Sequence, residues 1–517
     1  MSRKGYTMKR FFVLLVLLGF GLASAQATEP QYGGILRAGM QTDPVGLDPH
    51  STQATSTRNV LENVYDTLVM FDSSLQIVPG LAESWEASED GLTWTFKLRD
   101  GVMFHDGTPL RASDVVFSLQ RIVDPDIASP RSGDFAVVES VTAPDDATVV
   151  ITLSEPFSPL LAKLAQSLNV IVSEKVAMAN GNDLNNVVVG TGPFKFAEYV
   201  PQTRLILEKN DNFWGTDADG NALPYLDGIT FTFYPEPTAR TTAIQTGNAD
   251  FVEYVPAPDV DILRADPEVE VVGGLSANFR SIYLNVTRPP FDNKLVREAL
   301  AYAIDEQEVV DVALFGTGGV AATGTTVPVG QFYAVESSPY DGRDVEKAKE
   351  LLTEAGYPDG FTFDLYVTST YDFLRTPAEI IQANLADIGV SLNIVPEDWS
   401  IYLPKVLDHD FDATILGESG QSDPDDFLYD VFHTGGGGNL GLYSNPDLDA
   451  LLEQGRQVAD PEKRKAIYTE AQQLILDEAP HIFLYHSAQY EAIRTNVRGF
   501  EHFPNTSYLG LRTTWLE

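Results

Sequence analysis

Apolar and polar residues alternate along residues 92–98, and this pattern predicts a β-strand with one buried and one solvated face. The apolar face consists of Leu92, Trp94, Phe96 and Leu98. Turn sequences that end in a glycine stand on both sides of this strand, because glycine is free to take positive φ. A second short strand is predicted at residues 102–105, and Ser113 is predicted to cap the helix that follows.

The same periodicities divide the rest of the first half of the chain into short elements. Strands are predicted at residues 34–40 and, around a turn at residues 143–146, along residues 137–153. Helices are predicted at residues 59–68 and 160–168. Short strands therefore outnumber helices in this half.

The second half of the chain alternates between helical and extended patterns. The predicted helices are residues 295–304, 345–355, 377–388 and 461–476. The predicted strands are residues 361–367 and 390–395. Gly356 and Gly389 follow the second and third helices, where a C-terminal glycine is common. This order indicates an α/β region with a largely parallel sheet.

Taken as one string, residues 79–119 resemble the signature segment of a known family. They read PGLAESWEASEDGLTWTFKLRDGVMFHDGTPLRASDVVFSL. This string is similar to that of the peptide/nickel class of ABC-transporter solute-binding proteins. Residues 190–194 (GTGPF) and 280–293 (RSIYLNVTRPPFDN) also look like landmarks of that class. The resemblance covers essentially all of residues 30–517.

The resemblance implies a mixed α/β (α+β) fold of the periplasmic-binding-protein type. Two lobes are joined by two crossings and close on a ligand by hinge motion, and an extra β-rich domain is inserted in the first lobe. The implied limits are a signal peptide at residues 1–25, lobe I at 30–65, 188–283 and 484–517, the inserted domain at 66–187, and lobe II at 284–483. The crossings are expected near residues 280–293 and 482–485.

The N-terminus has the organisation of a secretion signal. Lys9 and Arg10 precede an apolar run at residues 11–22, and small residues allow cleavage after Ala25 or Ala27. The run is shorter than the ~20 residues that span a bilayer. The sequence contains no cysteine, which excludes a lipid anchor on an N-terminal cysteine. A soluble, exported, periplasmic protein is therefore predicted.

Acidic residues dominate the chain, with 74 Asp and Glu against 34 Lys and Arg. Residues 1–25 hold four basic and no acidic side chains, so the mature chain keeps 30 basic and 74 acidic residues, a net charge of −44. Such a surface repels nucleic acids and anionic membranes, so neither is expected as a partner.

No catalytic motif stands out in the sequence. The lack of cysteine excludes a thiol nucleophile, and the seven histidines contain no HExxH pair. Residues 417–420 do not form the GxSxG turn of hydrolases. Paired carboxylates cannot be recognised without coordinates, so a secreted hydrolase stays open as an alternative, although the protein is predicted not to be an enzyme.

No cofactor is predicted, but one loop resembles part of a calcium site. Asp217, Asp219 and Asn221 match the first three ligands of a calcium-binding loop. Its sixth position is Ala222 instead of glycine, and its twelfth is Gly228 instead of glutamate. An Asx-rich turn is the favoured interpretation, with structural calcium as the alternative.

The candidate ligand loop comprises residues 417–427, GESGQSDPDDF. In peptide-binding relatives, the matching loop carries a tryptophan and an aspartate that holds the peptide's α-amino group. The resemblance aligns Glu418 with that tryptophan and Gln421 with that aspartate, with Ser419 between them. Because glutamine carries no charge, either Glu418 or Asp423 supplies it, or the ligand has no free amine there. A solvated polar loop is the alternative interpretation.

Acetylating the N-terminus of a peptide ligand tests this anchoring hypothesis. If Glu418 or Asp423 holds the amine, acetylation should weaken binding by roughly tenfold or more. Unchanged affinity would contradict the hypothesis.

Further candidates are transferred more loosely from the resemblance. Ser56, Thr57 and Arg58 stand where relatives place a segment that faces the pocket, and Arg58 is suited to a carboxylate or phosphate. Trp399 and Tyr402 offer aromatic faces, and Asn439 offers an amide after a run of glycines. The alternatives are a surface arginine at the end of a helix for Arg58, and core aromatics for Trp399 and Tyr402.

The resemblance implies an exported solute-binding subunit of an ABC importer. It would capture a solute between its lobes and deliver the solute to a membrane permease. A peptide or peptide-like solute is the leading expectation, because peptides are the commonest ligands of the class. An oligosaccharide or another non-peptide solute is the alternative. The protein is expected to be a monomer whose partners are its ligand and the permease.

Overall fold

The computed structural model describes residues 29–328, 331–369, 372–417 and 422–517, without the side chains of residues 372 and 373. The strands are β1 Ile35–Met40, β2 Val69–Phe71, β3 Ile77–Pro79, β4 Ala82–Ala87, β5 Thr93–Leu98, β6 Val138–Asp145, β7 Thr148–Leu153, β8 Phe194–Val200, β9 Arg204–Lys209, β10 Gly228–Phe233, β11 Phe251–Val252, β12 Val269–Leu284, β13 Gly319–Ala321, β14 Thr362–Thr368, β15 Ser391–Glu397, β16 Ala413–Leu416, β17 His481–Arg494, β18 Val497–Arg498 and β19 Trp515–Leu516.

The α-helices are α1 Thr55–Leu61, α2 Ala112–Val123, α3 Leu160–Ala165, α4 Glu174–Ala179, α5 Pro237–Gln245, α6 Val260–Arg264, α7 Lys294–Ala303, α8 Glu306–Glu308, α9 Val345–Glu354, α10 Asp372–Ala386, α11 Trp399–Leu407, α12 Pro424–Phe432, α13 Pro446–Gln457 and α14 Pro461–Glu478. Across the described ranges, the helices are too short or too polar to cross a bilayer.

A single large sheet runs through both halves of the protein. Within the described residues it has eleven strands, in the order β15–β14–β16–β12–β17–β11–β1–β10–β9–β8, with β13 paired to β17. The two longest strands, β12 and β17, pair antiparallel from Val269 opposite Arg494 to Tyr283 opposite His481. One end of this pair contacts β11 and the other contacts β16. Residues 280–284 and 482–485, where crossings are expected, therefore lie in one hydrogen-bonded ribbon.

The buried apolar residues form separate cores on the two sides of this ribbon. Lobe I is defined here by the core around β1 and β8–β11, and lobe II by the two cores around β14–β16 and helices α7–α14. The insert has its own core, between Leu68 and Ile171, and its own sheet in the order β4–β5–β7–β6. Helix α4 and Leu184 pack into the lobe I core, so the insert's own core ends near Ile171.

The α/β organisation predicted for the second half is confirmed. Strand β14 pairs in parallel with both β15 and β16, and the apolar residues of α7, α9 and α10 share one core with it. Gly356 and Gly389 take φ values of 90° and 80° after α9 and α10, which a side chain would oppose. Predicted strands 34–40, 92–98 and 361–367 are also observed, with ends that shift by one residue.

The helix predicted at residues 59–68 is wrong in its extent. Helix α1 begins at Thr55 and ends at Leu61, because the next carbonyl groups bond to another part of the chain. Gly192 N donates to Val64 O at 2.9 Å, and Phe194 N donates to Asn63 O at 3.1 Å. A side chain at Gly192 would collide with Val64, which explains the glycines of the GTGPF segment by close packing.

Three smaller predictions are also wrong. Residues 102–105 form only one bridge, between Met103 and Pro109, instead of a strand. Helix α2 begins at Ala112, so Ser113 lies inside its first turn, and the carboxylate of Asp114 accepts from Arg111 N instead. Helix α10 begins at Asp372, five residues before Pro377, which lies inside the helix.

Candidate functional site

A cavity of about 680 Å³ lies where lobe I, the insert and lobe II meet. Sites for small ligands commonly enclose ~300–1,000 Å³. Its described walls hold four cationic and four acidic side chains: Arg58, Arg131, Lys163 and Arg456, and Asp134, Asp425, Asp426 and Asp430. The cavity is therefore built to surround a solute that carries charge or many polar groups.

The lobe II wall is formed by the start of helix α12, where the sequence DPDDF determines the local structure. Asp423 caps the helix by accepting from Asp425 N at 2.9 Å, and Pro424 occupies the first turn, where its missing N–H is harmless. Asp425 and Asp426 follow in the first turn, where the helix dipole favours negative charge. Helix geometry thus places two carboxylates on the cavity wall.

Asp423 itself is used by the fold. Its two oxygens accept from Arg464 Nη1 at 2.7 Å and from Arg464 Nη2 at 2.6 Å. Burial alone would raise the pKa of Asp423, but the charge and hydrogen bonds of Arg464 bring it below its usual value. A ligand amine would have to share this carboxylate with Arg464.

Asp425 and Asp426 are buried and incompletely paired. Arg456 Nε lies 3.0 Å from Asp425 Oδ1 without hydrogen-bond alignment. Asp426 Oδ1 accepts from Lys163 Nζ, while Asp426 Oδ2 has no partner among the described residues. Burial raises the pKa of Asp425 to about 7, and it also raises the pKa of Asp426. This wall would be stabilised by additional positive charge.

The insert contacts lobe II directly beside the cavity. Lys163 of helix α3 joins Asp426 of lobe II, and it also lies 3.3 Å from Asp134 of the insert. Ser158 N donates to Arg456 O at 2.6 Å, and the Arg456 guanidinium lies 4.9 Å from the ring centre of Phe157. These contacts hold the insert and lobe II together in the conformation described here.

The opposite part of the wall belongs to lobe I and the insert. Arg131 donates to the carbonyl oxygens of Pro49, Thr52 and Leu168, at 2.7, 2.5 and 2.9 Å. Arg58 Nη2 donates to the carbonyl and hydroxyl oxygens of Thr506, both at 2.8 Å. Both arginines are fixed by neutral acceptors, so their positive charge is available to the cavity.

The structure separates the predicted site residues into groups. Glu418, Ser419 and Gln421 lie outside the described residues, and their predicted roles stay predictions. Of the other candidates, Arg58 lines the cavity, whereas Asp423 lies behind the wall with Arg464.

The neighbours of Arg58 face away from the cavity. Thr57 is buried, and its hydroxyl oxygen accepts from Val45 N at 2.9 Å, while its O–H group donates to Gly46 O at 3.2 Å. Ser56 is partly buried in helix α1 and does not line the cavity. Thr57 therefore holds the preceding loop against α1.

The aromatic and amide candidates lie in lobe II, away from the cavity. Tyr402 is fully buried, and its hydroxyl bonds to Thr414 Oγ1 at 2.7 Å and to Ile415 O at 2.8 Å. Trp399 is half-buried and packs against Tyr402 with ring centres 5.6 Å apart. Asn439 Nδ2 donates to two carbonyl oxygens of its own loop, so its amide is occupied. Ligand contact by these three residues stays a prediction.

Sequence reasoning missed most of the charged wall. Asp425 and Asp426 stood in the candidate loop, and their position after an Asp-Pro helix start was a usable signal. Arg131, Lys163 and Arg456 had no such signal. They come from segments far apart in the chain, and only folding brings them together.

In the loop considered as an alternative calcium site, the carboxylate of Asp217 accepts hydrogen bonds from neighbouring residues. Asp217 Oδ1 accepts from the backbone N–H of Asp219 at 2.9 Å and of Asn221 at 2.7 Å. The other oxygen accepts from the Tyr225 hydroxyl, which lowers the pKa of Asp217 to about 2. Within the described ranges, no cluster of three or more His, Asp or Glu side chains is arranged to hold a metal ion.

Comparison with known proteins identifies the family. The model of "Bacterial extracellular solute-binding proteins, family 5 Middle" matches residues 76–439. Heme-binding protein A of Haemophilus influenzae is 32% identical over 494 residues, which cover 89% of this chain and 88% of that protein. The dipeptide-binding protein of Escherichia coli is 31% identical over 507 residues, which cover 90% and 92%.

A solved structure agrees with these relatives. The ABC transporter-associated periplasmic binding protein from Helicobacter pylori, in complex with peptide STSA, has a TM-score of 0.79 and 30% identity, and the match covers 94% of this chain and 99% of that one. The chain therefore belongs to family 5 of the bacterial extracellular solute-binding proteins. The predicted class, the two-lobed α/β fold and the role as solute-binding subunit of an ABC importer are confirmed.

Proposed function

We propose that the protein captures a short peptide or peptide-like zwitterion in the cavity between its lobes and releases it to the permease. Lobe closure follows if the ligand binds the closed form more tightly than the open form. Relatives named for dipeptide binding and solved with a bound peptide support this ligand class, and a relative named for heme binding shows that the scaffold is not restricted to it.

The observation that carries the proposal is the distribution of charge in the cavity. Lobe I and the insert present Arg58 and Arg131, while helix α12 of lobe II presents Asp425 and Asp426. A free peptide carries a carboxylate at one end and an ammonium at the other, so it complements both walls. A neutral oligosaccharide would leave Arg58 and Arg131 without a counter-ion and Asp425 and Asp426 incompletely paired, which is costly where the side chains are shielded from water.

The remaining expectations belong to the same proposal. The protein is exported after cleavage near Ala25 or Ala27, carries no lipid anchor and works as a monomer. It is not an enzyme, and it binds neither nucleic acid nor membrane lipid. The inserted domain comprises residues 66–187, and its last part, residues 172–187, packs against lobe I. The other domain limits are those that the family resemblance implies. Support comes from membership of a family of extracellular binding proteins.

Native mass spectrometry of protein from the exported fraction tests the ligand class. We expect a mixture of short peptides to be released and identified by fragmentation. Titration calorimetry should then show binding of alanyl-phenylalanine and much weaker binding of the same dipeptide blocked at both ends. A single sugar or other non-peptide compound in the exported protein, together with no binding of free dipeptides and tripeptides, would refute the proposal.

A further inference from the structure

Two arginines in the cavity wall make no direct ion pair with a described carboxylate. Among the described residues, no carboxylate oxygen lies within the 4.0 Å ion-pair distance of Arg58 or Arg131, although every other cation of the cavity wall has one. An ion that is removed from water without a counter-ion destabilises the folded state. A ligand that brings a negative charge to these side chains would remove that cost.

Arg131 is enclosed by the fold, and the acids near it are already paired. It is 8% exposed, and burial lowers its pKa to about 10, so it stays charged at neutral pH. Asp48 accepts from Arg121 Nη1 at 2.9 Å, and Asp134 lies 3.3 Å from Lys163. To the described residues, Arg131 Nη1 makes one hydrogen bond, to Thr52 O, so one of its two N–H groups remains for a ligand.

Arg58 also has donors to spare. Its Nε and Nη2 atoms bond to Asn59 and Thr506, while Nη1 makes no hydrogen bond to the described residues. The nearby acid is Glu62, which is buried and accepts from Ser507 Oγ at 2.9 Å and from Tyr508 N. Glu62 is therefore engaged behind the wall, and both Nη1 hydrogens of Arg58 remain for a ligand.

One segment positions both arginines. The carbonyl oxygens of Pro49 and Thr52 hold the Arg131 guanidinium, and the chain then enters helix α1, whose fourth residue is Arg58. We infer that Arg58 and Arg131 together bind a carboxylate of the ligand at the lobe I end of the cavity. This inference rests on the proposed function, and it orients the ligand with its carboxylate towards lobe I and its cationic group towards Asp425 and Asp426.

Calorimetry with matched ligands tests the assignment on the full mature chain. Alanyl-phenylalanine is compared with its C-terminal amide, which keeps the shape and the ammonium but loses the carboxylate. We expect the amide to bind wild-type protein at least about tenfold more weakly, since charged hydrogen bonds are lost. In Arg58→Gln, the ratio of the two dissociation constants should fall below about threefold.

The ratio separates recognition from damage to the fold, because general damage weakens both ligands alike. Arg204→Gln is the matched control: this exposed arginine pairs with Glu198 and does not line the cavity, so the full ratio should remain. Arg58→Lys, which keeps the charge, should retain part of the ratio. The inference would be overturned if wild-type protein bound alanyl-phenylalanine and its amide equally well, or if the ratio of their dissociation constants were unchanged in Arg58→Gln. In either case the protein would still bind peptides, so the proposed function would remain. Failure of every free peptide to bind would instead refute the proposed function, and the inference with it.

Discussion

Lys163 is the ion-pair link between the insert and lobe II, and we expect Lys163→Met to open the cleft. Its ammonium pairs with Asp426 of lobe II and with Asp134 of the insert. Burial would lower the pKa of Lys163, but these carboxylates raise it. Methionine keeps the length of the side chain and removes the charge, so the change acts on the ion pairs.

The expected effect can be worked out from burial. The side chains of Lys163 and Asp426 are only 11% and 6% exposed, and removing one partner of such a buried pair costs about 3–5 kcal/mol. The unpaired carboxylate of Asp426 becomes solvated again if the insert and lobe II separate. The cost therefore falls on the closed form, and the ratio of closed to open protein should drop by about two to four orders of magnitude.

Small-angle X-ray scattering and calorimetry measure this shift. Ligand-free Lys163→Met should show a larger radius of gyration than wild type, and a peptide ligand should bind it more weakly. Lys175→Met is the control, because its exposed ammonium only lies 3.4 Å from Asp106 at the surface of the protein. Adding Asp426→Asn to Lys163→Met should restore part of the closed population, since the unpaired charge is gone.

Unchanged scattering and unchanged peptide affinity in Lys163→Met would refute this reasoning. That result would mean that the contacts of Ser158 and Phe157 with Arg456 hold the insert against lobe II without the ion pair.

Three further predictions concern buried polar side chains. Arg464→Met should lower the free energy of unfolding, measured by urea denaturation, by about 3–5 kcal/mol, because Asp423 stays buried without its partner. Arg464 depresses the pKa of Asp423. The stability difference should therefore be present at neutral pH and shrink as the pH falls through that pKa. Tyr402→Phe removes the two hydrogen bonds of the buried hydroxyl, so it should lower the free energy of unfolding by about 1 kcal/mol and leave peptide affinity unchanged. A large loss of peptide affinity would instead support the predicted ligand contact of Tyr402. Burial raises the pKa of Glu306 to about 8, so its contribution to stability is lost as pH rises from 4.5 towards 8. Glu306→Gln should therefore raise the melting temperature at pH 8 more than at pH 5. The control Glu354→Gln, at an exposed position, should show no such difference. Equal changes in melting temperature at both pH values for Glu306→Gln would contradict the destabilising effect of a buried charge at Glu306.

Local sequence predicted much of the fold because many elements depend on near neighbours. The alternation at residues 92–98, and the glycines after α9 and α10, describe structures that need no distant contact. Helix α1 shows the limit of this reasoning. Its apolar spacing continues beyond Leu61, but hydrogen bonds from Gly192 and Phe194 end it, and those partners lie some 130 residues further along the chain.

The candidate site shows the same limit more strongly. Arg58 was identified from its position before the first helix, and it does line the cavity. Tyr402 looked equally suitable as a ligand contact, yet its side chain is enclosed in lobe II. Burial and direction of a side chain depend on packing between elements, and residue type alone does not reveal them.

The amino-acid sequence by itself determined the family, the order of most elements and the acidic start of helix α12, since these follow from strings and periodicities of adjacent residues. Tertiary structure alone decided which charges face one another. Arg131 and Lys163 of the insert meet the cavity beside Arg58 of lobe I and Asp426 of lobe II. Electrostatic complementarity depends on distance in space, and folding, not sequence separation, sets that distance.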